Sequence, residues 1–551
     1  PESDEGVEDK SSEVAPPSEG EDENGVDLVV VPPDSADGEE TKEDAPKGPS
    51  IDLEGLEGRI LALPLPRGNY SDLAGGDEKL YFRERGEGRS SALKSFDFSS
   101  KKATTVKDGV NGYQVSADGK SLLLFDDSNT ITDASGGDGK ALPINSVKVY
   151  VDPRAEWPQI LREVWRIERD YFYDSNMHGV DWDKMLERWM AMVPYVQHRD
   201  DLNMLIGELI GELCCGHEYV GGGEKDRAPE GIDMGLLGAN WIQEDGHFRI
   251  AQILTGQNWI PSQRSPLTEP GVDAQVGDYL IAVNGVPIVA PSNLYQAFQG
   301  LANTQVELTL GSTLDEADRR TTRVVPVSSE SSLRFSSWVE SNRKRVDELS
   351  GGRLAYIYMP DTGGRGMDSF DRDFYSQLDR EGVILDERYN GGGMVADYVV
   401  ETLNRNVMSY WFNREEWLAR SPSAVMPGPK VMIINERAGS GGDWMPWAFK
   451  SQGIGSLVGT RTWGGLVGIS GYPSLVDGGS VTAASFGVLD TEGNWIIENE
   501  GVHPDYQVVE WPAAIIAGGD PQLEKAVQVA LKQLEANTPK PLPKFHPPAP
   551  R

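Results

Sequence analysis

One serine in this chain stands in a setting that suits covalent chemistry. Ser440 follows the apolar run "KVMIIN" and lies in "NERAGSGGDW", with Gly439 before it and Gly441 and Gly442 after it. Glycines clear side chains from the backbone, so a reacting group can come close to its N–H donors. Two readings compete. Ser440 caps the following helix, its hydroxyl accepting from first-turn N–H groups. Alternatively it is a nucleophile at the C-terminal end of a strand, where α/β sheets gather their sites. Asp443 is at least as good a cap, which would free Ser440. The spelling is not the G-x-S-x-G elbow, because Ala438 occupies the first glycine position.

A serine nucleophile needs a base. The chain has 6 histidines. His546 lies in a Pro-rich tail, His178 and His198 beside helical segments, and His247 in the hairpin turn "EDGHF". Two candidates remain. His217 sits in "ELCCGHEYVGGG", a Gly-rich loop past a helix end that can reach another domain; His503 sits in "GVHPD", a turn before Pro504. "HEYVG" lacks the second histidine of a zinc helix, which excludes that class of metalloprotease. The 2 cysteines, Cys214 and Cys215, are adjacent; they suit neither a structural disulfide nor a zinc site. No metal or cofactor is called for. An oxyanion hole needs backbone N–H donors, and two Gly-rich places supply them: Gly441, and the loop "NGGGM" from Asn390 to Met394 after the strand "GVILDERY".

Elements of several kinds must position these groups. Residues 1–50 are rich in Glu, Asp, Pro, Ser and Gly and read as an acidic disordered linker or insert, with "VDLVVV" (Val26–Val31) the one candidate strand. Residues 51–148 hold strand-like runs, "RILALPLP", "KLYFRE", "LKSFDFSS" and "GYQVSADGKSLLLFDD", the last a hairpin turning at Asp118-Gly119. That spacing suggests the C-terminal part of a β-propeller, with earlier blades absent. Residues 149–227 switch to apolar spacings of three and four, in "WPQILREVWRIERDYFY", "WDKMLERWMAMVPYV" and "RDDLNMLIGELIGELCC", and form a helical part of the core. Residues 228–330 have the cadence of a PDZ domain, with "SNLYQAFQGLA" as the helix beside the peptide groove. Residues 331–535 alternate strand and helix as an α/β peptidase domain, and 536–551 are a Pro-rich tail.

The net charge of −36 excludes nucleic acid and anionic membrane surfaces as partners. No apolar run approaches the roughly 20 residues that cross a bilayer. The chain starts at Pro1 without a leader pattern and reads as part of a longer one.

Residues 51–535 resemble the tricorn proteases, serine peptidases related to the C-terminal processing peptidases. "GHEYVGGG", "SPLTEPGV", "GDYLIAVNG", "DERYNGGG", "NERAGS", "GTRTWGGLVG" and "IENEGVHPD" carry the resemblance, in the family's order. It implies a multidomain chain: propeller remnant, helical layer, PDZ β-domain and α/β catalytic domain. It implies Ser440 as nucleophile, His217 as base and Glu498 in the network orienting the base, with Glu500 the alternative acid. It implies an oxyanion hole from the N–H of Gly441 and that of Gly392 or Gly393. It also implies peptide substrates, a homohexamer and a cytoplasmic setting, with a periplasmic one as the alternative. A C-terminal processing endopeptidase and a non-catalytic peptide-binding scaffold are the rival readings. Two positions depart from the tricorn type: Gly216 stands where it has a serine relaying to the glutamate, and Gly441 where it has an aspartate.

Overall fold

The computed structural model describes residues 53–536 apart from 77, 87–90, 126–127, 225–230 and 415–417. The acidic stretch 1–50, with Val26–Val31, and the tail beyond Ala536, with His546, lie outside the described residues. The chain divides into two compact units, 1–149 and 150–551.

The first unit holds two four-stranded antiparallel sheets, spanning Asn69 to Asp108 and Gly112 to Ala141. The Asp118-Gly119 hairpin forms as read, with Gly119 at φ 71°. "RILALPLP" forms no strand. Pro64 and Pro66 have no N–H to give a ladder, and Ile60 and Leu61 are exposed. Among the described residues the two sheets do not close a ring.

The second unit starts with three helices, α1 (Pro153–Tyr171), α2 (Trp182–Met190) and α3 (Arg199–Gly211). Their apolar stripes meet in one core with Ile160, Val164, Leu202, Ile206 and Leu209 fully buried. An antiparallel sheet follows, in the order β1 (Ala239–Glu244), β2 (His247–Ile253), β3 (Tyr279–Val283), β4 (Val306–Gly311), β5 (Arg319–Val324). The helix expected in "SNLYQAFQGLA" is only a 3-10 turn, Leu294–Phe298. Asn293 caps Tyr295 N–H at 3.0 Å, and Gly300 turns left-handed at φ 72° before a longer helix can form.

The last layer is a parallel sheet, β6 (Leu354–Tyr358), β7 (Gly382–Asp386), β8 (Lys430–Ile434), β9 (Ser456–Gly459) and β10 (Tyr506–Gln507), side by side in chain order. Every residue of β6, β7 and β8 is buried, as a sheet covered on both faces requires. Helices α5 (Gly364–Tyr375), α6 (Ala396–Leu403) and α7 (Gly441–Ser451) cover one face. Helices α4 (Ser331–Ser350) and α8 (Pro521–Ala536) cover the other. Parallel strands end on the same side. The turns after β7 and β8 therefore meet, and these are the "NGGG" and "ERAGSGG" segments.

Candidate active site

Ser440 is the residue before α7 and adopts φ 59°, ψ −117°. A non-glycine residue there carries strain of about 1–3 kcal/mol, held by its surroundings. Those surroundings are specific. The Ser440 N–H donates to Asp443 Oδ2 at 2.9 Å and to the Gly465 carbonyl at 3.1 Å. Asp443 is fully buried and also accepts from the N–H groups of Gly464 at 2.8 Å and Gly465 at 3.1 Å. Burial pushes its carboxyl pKa up, while these donors and the Thr462 hydroxyl pull it back.

The "NGGG" loop packs straight against this turn. The Asn390 carbonyl accepts from Gly439 N–H at 3.1 Å. A Cβ on Gly392 (φ 82°) would lie 2.6 Å from Ser440 Cβ, so only glycine fits. A Cβ on Gly441 would overlap Thr362 Oγ1 and the Gly393 carbonyl. Gly392 spends its N–H on Asn390 Oδ1 at 2.9 Å. The N–H groups of Gly393 and Gly441 have no acceptor among the described residues. Gly441 opens α7, and a first helical residue has no intrahelical partner.

His217 follows α3 in a loop, itself at φ 62°. Its carbonyl accepts from Thr482 Oγ1 at 2.6 Å, and that hydroxyl in turn accepts from Tyr219 N–H at 2.8 Å. The imidazole packs on Trp463, ring centroids 5.2 Å apart. Trp463 also abuts Gly439, where a Cβ would stand 2.6 Å from the indole. One indole thus touches both the Ser440 turn and the imidazole. No hydrogen bond joins His217 to Ser440 among the described residues, and Nδ1 is buried without a partner. Catalytic hydrogen bonds often tighten only around substrate. Burial lowers the imidazole pKa, against the opposing pull of Glu498 and then Asp443.

Glu498 reaches this loop through its backbone. It accepts from Gly216 N–H at 2.7 Å, Leu466 N–H at 2.6 Å and Val467 N–H at 3.1 Å. Glu500 is exposed; its N–H donates to the Ile497 carbonyl at 2.8 Å and its carbonyl accepts from Arg461 at 2.9 Å. Among the other histidines, His503 is exposed. His178 bridges the Tyr173 hydroxyl and the Leu213 carbonyl. His198 precedes α3 and His247 opens β2. Sequence reading passed over Trp463, Thr482 and Thr362. "GTRTWGGLVG" held a signal for the first, an aromatic beside paired glycines.

Family models match three stretches: the tricorn protease C1 domain at 153–211, the tricorn protease PDZ domain at 235–329 and peptidase family S41 at 353–508. Tricorn protease homolog 1 of Streptomyces coelicolor is 36% identical over 523 residues, 90% of this chain and 48% of that protein. The tricorn protease of Thermoplasma volcanium is 30% identical over 510 residues, 89% of this chain and 49% of that protein. The crystal structure of the tricorn protease matches with a TM-score of 0.78 at 28% identity, covering 86% of this chain and 47% of that one. The chain is similar to the tricorn proteases along most of its length. It spans about half the length of these curated relatives.

Its two departures from the tricorn type have local explanations. At Gly216 a Cβ would stand 3.1 Å from Glu498 Oε1 and 3.0 Å from Gly465 Cα. The Glu498 carboxylate accepts directly from the Gly216 N–H, in the space a side chain at 216 would need. At Gly441 the loop has closed onto the space that an aspartate side chain would need.

Proposed function

We propose that this chain is a serine peptidase of tricorn type, hydrolysing oligopeptides through an acyl-enzyme on Ser440. One observation carries the reading: a serine held at positive φ beside two N–H groups, those of Gly441 and Gly393, that have no acceptor among the described residues. Ser440 Oγ adds to the peptide carbonyl carbon as its proton passes to the His217 imidazole. The Gly441 and Gly393 N–H groups receive the oxyanion, and Gly392 keeps the approach clear. The imidazolium returns its proton to the leaving amine as the C–N bond breaks. Water, deprotonated by the same imidazole, then splits the ester to free acid and serine. Glu498 holds the peptide bond that carries His217, through Gly216 N–H.

The remaining parts fit peptide delivery. β1 is the edge strand of its sheet and borders a groove of roughly 600 Å³ with Trp241, Phe248, Leu294 and Tyr295 on its walls. An extended peptide can pair with such an edge. The two antiparallel sheets of the first unit are read as the last blades of a propeller, and the working particle as a cytoplasmic homohexamer. The decisive experiment is labelling with a serine-directed phosphonate and peptide mapping. Modification of Ser440 with loss of turnover is expected. A labelled site elsewhere, or turnover surviving full labelling, overturns the assignment. Particle mass by light scattering tests the hexamer.

A further inference from the structure

Behind the His217 loop lies a pair of acids that the mechanism above does not use. Glu168, on α1, is fully buried, and among the described residues no N–H or hydroxyl donates to either carboxyl oxygen. It faces Glu218, the residue directly after His217. Glu218 Oε1 accepts from Ala484 N–H at 2.9 Å, while Oε2 is buried without a partner. The Ala484 carbonyl accepts from Tyr173 N–H at 2.8 Å, which ties the end of α1 to the same strand. The other titratable groups around the pair are Glu498, Cys215 and Tyr173, with His178 beyond the tyrosine. No arginine or lysine pairs with either glutamate among the described residues.

Two bare carboxylates cannot face each other in such a site; one proton between them satisfies an oxygen on each. We propose that Glu168 and Glu218 share one proton, and that this carboxyl–carboxylate hydrogen bond positions the His217 loop for proton transfer. The inference rests on His217 being the base. Burial raises both carboxyl pKa values; repulsion from Glu218 adds to this at Glu168, while at Glu218 the Ala484 N–H and the hydrogen bond with Glu168 pull back against burial and Glu498, as one retained proton requires. Glu218 and Thr482 then fix the chain directly after the strained His217, through its carbonyl and the Ala484 N–H. Loss of the shared proton to solvent at alkaline pH leaves two anions in contact. The loop shifts, and kcat falls.

The test compares Glu168→Gln and Glu168→Leu in the full chain, with kcat and KM for one peptide followed from neutral to alkaline pH. Glutamine donates permanently, so Glu168→Gln should keep neutral-pH kcat and move the alkaline fall upward. Glu168→Leu fills the space but cannot donate. It should lose at least about tenfold in kcat with KM little changed, as a misplaced base would. An alkaline limb identical in wild type and Glu168→Gln overturns the proposal, as does wild-type kcat in Glu168→Leu. Failure of the underlying reading shows separately, as undiminished turnover in His217→Ala.

Discussion

At the scale of single residues, the site combines strain with preorganised donors. Ser440 pays for its place: φ 59° suits glycine, and the bonds from its N–H to Asp443 and Gly465 hold it there. Ser440→Gly should therefore gain about 1 kcal/mol in urea unfolding while losing turnover; Ser440→Ala should lose turnover without that gain. His217 is buried enough that its pKa falls despite Glu498 and Asp443. A general base works when neutral, so a lowered pKa extends activity toward acid. The acid limb of kcat/KM should lie below about 6.5, the value of a free imidazole; a limb above it would contradict this. Glu498 and Glu500 separate in the same way. Glu498→Ala strips an acceptor from Gly216, Leu466 and Val467, and should cost about tenfold or more in kcat/KM. Glu500→Ala should stay close to wild type, and the reverse order would exchange the roles.

At the scale of elements, the "NGGG" loop is as firm as the strand that delivers it. Just past β7, Arg388 is fully buried and meets Asp386 at 2.6 Å, Glu510 at 2.9 Å and Asp520 at 3.0 Å. The Tyr356 hydroxyl, from β6, donates to the same Asp386 at 2.9 Å. These bonds join β6, β7 and the approach to α8, two residues before Asn390. Removing one partner of such a network strands the others in a dry interior. Arg388→Met should destabilise by about 3–5 kcal/mol in urea unfolding. It should also lower kcat, because Tyr389 to Gly393 hang from the same strand end. A second buried pair, Arg199 with Asp477, ties α3 to the turn at Leu475–Gly479. It steadies the helix from which the His217 loop departs.

At the scale of the molecule, the two units have separate cores, and the peptidase elements all belong to the second. The segment between them is open: Val147 is 71%, Val149 83% and Tyr150 91% exposed. Limited chymotrypsin digestion should cut first after Tyr150, read by mass spectrometry of the fragments. The C-terminal fragment should keep phosphonate labelling at Ser440, since α1 to α8 and the parallel sheet remain together. Early cuts inside 354–459 would show instead that the peptidase core is the weaker body.

Local chemistry alone was enough for much of this protein. Apolar spacing in "WPQILREVWRIERDYFY" and "KVMIIN" settles helix and strand, because burying one stripe or both faces imposes its own period. The Asp118-Gly119 turn and the glycines around Ser440 are equally local. Where propensity and packing disagree, the sequence misleads. "RILALPLP" has the residues of a strand but prolines where donors are needed. "SSLRFSSWVESNRKRVDELS" looks polar, yet α4 buries Leu333 and Val346 by packing on other elements. The choice between Glu498 and Glu500 was beyond spacing. An extended chain would put them on one face, but Ile497 and Asn499 take φ 71° and 63°, and only Glu498 turns inward. Its partner Gly216 is 282 residues away in the chain. The meeting of His217, Trp463 and Gly439, and of Glu168 with Glu218, is likewise tertiary. Such contacts follow from which faces of the helices and sheet pack together, and no local pattern encodes that.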